Sequence, residues 1–211
     1  MILRNGAIDD NVYDRSVRKR LQEVRIPGKM RPSLSGNPVS FRTAHAGFLS
    51  VVNAVNDLAS EGVRPEEIRV TILLPEGSEE SLLRGITDEI CETAKTAGVR
   101  VSACCAQTSG AVTRPVVFTQ AQGEKSFFAE GTQVPDREER TTEKRAEYDP
   151  AAREILMLGR AGLEGTFLLA TEKREELETR FPVRMLERAA AMKELLLMTP
   201  AVEALGENGI R

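Results

Sequence analysis

The stretch that most constrains this chain runs from Gly47 to Leu74, GFLSVVNAVNDLASEGVRPEEIRVTILL. Phe48, Val51, Val52, Val55, Leu58 and Ala59 recur at helical spacing, so one face of a helix is apolar and must pack against another element. β-Branched and aromatic side chains in that set weaken intrinsic helicity, which leaves tertiary packing to hold the helix. Gly62 supplies a left-handed stop and Pro65 prevents continuation. The apolar run that follows, into Leu74, reads as a buried strand. Asn56 and Asp57 sit inside the helix. A carboxylate beside an amide among small residues has the chemistry to hold a cation, and the same pair also serves as the polar edge of a core helix.

Around this stretch the pattern is strand and helix in alternation. Asp9 to Leu21 reads as a short helix with Val12, Val17 and Leu21 as its contacts. The segment IPGKMRPSLSGN, residues 26 to 37, is a loop by its Pro, Gly and Ser content. Val39 to Thr43 reads as a strand, with Thr43 as a cap for the central helix. Ser78 is placed to cap a further helix ending at Gly98, whose buried face is Leu82, Leu83, Ile86, Ile90 and Ala94. Val99 to Cys105 and Thr113 to Gln122 then read as strands, with the turn at Ser109 and Gly110. The fold class is α/β (α+β), a sheet with helices on one face.

Ten of the fourteen residues from Asp136 to Asp149 are charged, with no large aliphatic side chain among them. Such a segment buries too little to order itself and reads as a linker. It divides the chain into residues 1–135, a linker at 136–150, and a second unit at 151–211. That unit reads as a strand at Ile155 to Leu158, a glycine loop, a helix from Thr166 to Thr179, and another opened by Pro182. In the last, Met185, Leu186, Ala189, Met192, Leu196 and Leu197 make an apolar stripe, with a turn signal at Gly206. One strand and two helices are too little for independence, so the unit must pack on the first domain or on another chain.

Bulk properties exclude several classes. The net charge is −3, and residues 1 to 36 carry eight Lys or Arg against four Asp or Glu. That basic start is dilute and has no aromatic interleaving, so no nucleic-acid partner is expected. No apolar run reaches the ~18 residues of a spanning helix, so no membrane role is expected. The N-terminus has acidic residues where a signal peptide would be apolar, and the odd set Cys91, Cys104 and Cys105 reads as reduced thiols in a cytoplasmic protein. The two adjacent thiols are expected to be buried at a strand end, with redox or metal chemistry as the competing role. A Cys-His arrangement would have to use His45, the one histidine.

Three blocks together, VYDRSVRKRL, VNDLASEGVRPEEIRVTILLPEGSEESLL and MLGRAGLEGTFLLATEKREELETRFP, resemble the aminoimidazole ribonucleotide (AIR) synthase-related superfamily. It includes AIR synthase, the hydrogenase-maturation carbamoyl dehydratase, selenophosphate synthetase and thiamine-monophosphate kinase. The resemblance implies an N-terminal domain that forms a homodimer through its sheet, followed by a partial C-terminal α/β unit, with ATP and Mg²⁺ bound between the two kinds of domain. The family's Asn-Asp pair falls on Asn56 and Asp57, the metal-type position. Gly162, Gly165 and Thr166, within GRAGLEGT, are the nucleotide-type positions at a helix N-terminus, where backbone N–H groups receive an anion; a plain strand-to-helix turn has the same sequence form. No catalytic residue is assigned.

Departures from the family cluster where the nucleotide should sit. SLSGNPVSFRTAHA, residues 33 to 46, has no carboxylate where relatives carry acidic residues. ACCAQTS, residues 103 to 109, replaces a Gly-Gly-Asp or Gly-Gly-His sequence. Most of the family's C-terminal domain is expected to lie outside this chain. Two readings follow: a non-catalytic dimeric binding or regulatory paralogue, or an ATP- and Mg-dependent enzyme completed by a partner chain that supplies the missing half.

Overall fold

A computed structural model describes residues 10–13, 33–123, 127 and 160–207. Contacts divide the chain into two compact units, Met1–Arg31 and Pro32–Arg211. In the first, helix α1 is the single turn Asp10–Tyr13. The rest of the helix expected at 9 to 21, the linker at 136 to 149 and the strand at 155 to 158 lie outside the described residues.

The second unit is built on helix α2, Ala46–Ser60. All of its residues except Asn53, Asn56, Asp57 and Ser60 are buried. No side chain caps its N-terminus and its first turn carries no acidic residue, so packing holds it. Gly47 shows how close that packing is: a Cβ there would run into the Ile86 carbonyl oxygen of the neighbouring helix. The helix ends at Glu61, and Gly62 takes φ 81° as its sequence position requires.

Five strands form one mixed sheet. They are β1 (Ser33–Ser35), β2 (Pro38–Val39), β3 (Glu67–Pro75), β4 (Arg100–Ser109) and β5 (Val116–Gly123). The order is β1-β5-β3-β4, with β2 also on β5. β3 and β4 are parallel and joined through helix α3, Glu80–Ala97, while β5 runs antiparallel to β1, β2 and β3. Along β3, Ile68, Val70, Ile72 and Leu74 are buried, and along β5 so are Val117, Thr119 and Ala121. This period-2 alternation gives the sheet a covered face and an open one. On the covered face Thr119 donates to the Ser50 hydroxyl at 2.9 Å, and Ser50 donates to the Gly47 carbonyl at 2.9 Å, so a buried polar pair is satisfied.

Local signals failed where tertiary pairing overrode them. Ser33–Ser35 lies in the segment expected to be a loop, yet it is a strand because β5 offers it a ladder, with Leu34 opposite Gln122. The strand expected at 39 to 43 is only Pro38–Val39. Thr43 does not cap α2; its hydroxyl oxygen accepts the His45 N–H at 3.0 Å and His45 is the capping position. Ser78 does not cap α3 either, because its hydroxyl donates to the Pro75 carbonyl at 2.7 Å and closes the preceding turn. α3 buries Ile86, Ile90, Thr93 and Ala94, with Leu83 packed partly against the core and Leu82 exposed. It ends at Gly98 with φ 69°, a left-handed stop that an L side chain would strain.

Residues 160–207 form helices α4 (Leu163–Glu172), α5 (Arg174–Glu178) and α6 (Val183–Ala190), a 3₁₀ turn Ala191–Leu195, and α7 (Thr199–Glu207). Lys173, at φ −114°, separates α4 from α5, so the single helix expected from 166 to 179 is two. Leu186 and Leu196 of the expected stripe are buried, whereas Met185 is exposed. α7 replaces the expected terminal turn; Pro200, just inside its start, is the overlooked signal. This block belongs to the same compact unit as the sheet. Phe167 is 1% exposed, with its ring 5.9 Å from that of Phe48 and 4.9 Å from that of His45.

Candidate functional site

α2 carries Asn56 and Asp57 on the edge it does not bury. The Asn56 side-chain N–H donates to the Leu196 carbonyl at 2.7 Å, and its oxygen accepts the Met198 N–H at 2.8 Å. One carboxamide thus grips a backbone segment at both of its hydrogen-bonding groups. Asp57 Oδ2 accepts from the Asn37 side chain at 2.9 Å, and the Asp57 carbonyl accepts from Ser60 at 2.7 Å. Mg²⁺ takes near-octahedral oxygen coordination. Here the Asn56 oxygen faces an N–H, and the described residues hold no group of three His, Cys, Asp or Glu side chains placed for a metal. As arranged, this set does not fit Mg²⁺.

The glycine positions lie elsewhere in the fold. Gly162 sits at φ 78° ahead of α4, and the Thr166 N–H bonds to the Gly162 carbonyl at 2.9 Å, closing the first turn. Gly162, Gly165 and Thr166 are exposed, and no side chain caps the helix. Glu164 in the same turn complements the helix dipole and opposes a bound anion. No described hydrogen bond joins these residues to Asn56 or Asp57.

A second polar group sits at the start of α2. Glu89 of α3 places Oε1 2.9 Å from His45 Nδ1, and its Oε2 accepts the Phe48 N–H at 3.3 Å. Glu172 of α4 accepts the Ala44 N–H at 3.2 Å. Carboxylates from two other elements therefore satisfy donors at the helix entry that no local cap reaches. Sequence reasoning passed over Glu89, Glu172, Asn37 and the 196–198 backbone. Their partners are separated by 20 to 142 residues, beyond the reach of any local pattern.

Cys104 and Cys105 contradict the expectation of burial, since both are exposed; Cys91 is exposed as well. Cys104 and Cys105 lie on β4, which among the described residues is an edge strand paired only with β3, whereas Cys91 lies on α3. Cys104 is pushed above the usual thiol range, first by partial burial and then by the neighbouring Cys105 and Cys91. Cys105 donates to Thr71 Oγ1 at 3.4 Å. His45 is engaged with Glu89 and Phe167, so the Cys-His arrangement does not form.

Residues 33–124 match the family model of the AIR synthase related protein, N-terminal domain. Over these residues the chain is similar to that domain. The matched stretch contains β1 through β5 and the Asn56–Asp57 pair; the glycine loop at 162 to 166 lies beyond it. Among curated proteins, the carbamoyl dehydratase HypE of Rhodobacter capsulatus is 41% identical over 64 residues, which are 30% of this chain and 19% of that protein. Among solved structures, a HypE–HypF complex aligns at TM-score 0.46 and 23% identity over 56% of this chain and 42% of the other. HypE in complex with ATP aligns at TM-score 0.41 and 20% identity over 57% and 41%. The chain thus spans less than half the length of these relatives.

Proposed function

We propose that this chain is a non-catalytic, dimeric paralogue of the AIR synthase-related enzymes that acts as a binding or regulatory subunit. The observation that carries this reading is the Asn56 carboxamide, whose two hydrogen-bonding groups are taken by Leu196 and Met198 of the chain's own backbone. If the chain followed the family it resembles, Mg²⁺ would be held at that position with ATP beside it. With Asn56 engaged and residues 33 to 46 without a carboxylate, Mg-ATP would be poorly neutralised. Supporting the dimer is the open face of the sheet, where Thr71, Leu73 and Phe118 are only half-buried. No described helix is long and apolar enough to cross a membrane, and three free thiols suit a reducing cytoplasm.

A second reading is favoured by the 64 residues shared with a carbamoyl dehydratase. In it the chain is part of an ATP- and Mg-dependent enzyme completed by a partner chain, and Gly162, Gly165 and Thr166 receive phosphate. Calorimetric titration with Mg-ATP, beside an Asp57→Ala variant, separates the two. The first reading expects no heat of binding from either protein. Micromolar binding that Asp57→Ala abolishes would overturn it and establish the second.

A further inference from the structure

We draw no further inference here: the strongest candidate, the set of exposed apolar side chains Leu169, Phe181, Val183, Met185 and Leu195 on the helices and connections of residues 160–207, carries nothing because nothing in the structure shows what covers it.

Discussion

Asn56 joins α2 to a backbone segment 140 residues later through the Leu196 carbonyl and also holds the Met198 N–H. Replacing it with alanine removes both bonds and leaves two part-buried backbone groups without that partner. Each such loss costs about 1–1.5 kcal/mol, so Asn56→Ala should destabilise the chain by about 2–3 kcal/mol. The measurement is a lowered urea midpoint at unchanged m-value; a change under about 0.5 kcal/mol, the usual range for surface substitutions, would remove the clamp from the account. The residue pair was legible in the sequence as polar chemistry on a core helix. Its occupant was not, because hydrogen bonding to a distant backbone leaves no mark in side-chain pattern.

α2 and α3 meet at Gly47, where α3 presents the Ile86 carbonyl and the Glu89 side chain. An added methyl group must push the helices apart or bend one of them. Overpacking of this kind costs about 1–3 kcal/mol, and Gly47→Ala should show that loss in thermal unfolding. A substitution without effect would mean that the helices separate freely. The periodicity of Phe48, Val51, Val55 and Leu58 foretold α2, and the alternation of Ile68, Val70 and Ile72 foretold the covered face of β3. Both patterns record which side of an element is dry. Helix starts were less legible: Thr43 and Ser78 are good capping residues by type, but each hydroxyl is used in a turn instead.

The block of residues 160–207 is seated on the sheet domain through Phe167, whose ring lies against His45 and Phe48, and through Leu196, which joins the common core. Truncating a buried phenylalanine costs about 3–5 kcal/mol. Phe167→Ala should loosen this block first, seen as faster amide hydrogen exchange across 163–207 while β3 and β5 stay protected; equal acceleration in the sheet would show that the block and sheet open together. The requirement that the late segment pack on something was readable, since it lacks the apolar surface to stand alone. Hydrophobic period and composition, which are local, determined the central helix, the main strands and the α/β class. Only the tertiary structure decided that the late helices close on α2, that Asn56 is engaged in cis, and that Cys104 and Cys105 stand exposed. Each of these depends on which distant surfaces meet and which sheet edge is left unpaired, and no window of neighbouring residues contains that information.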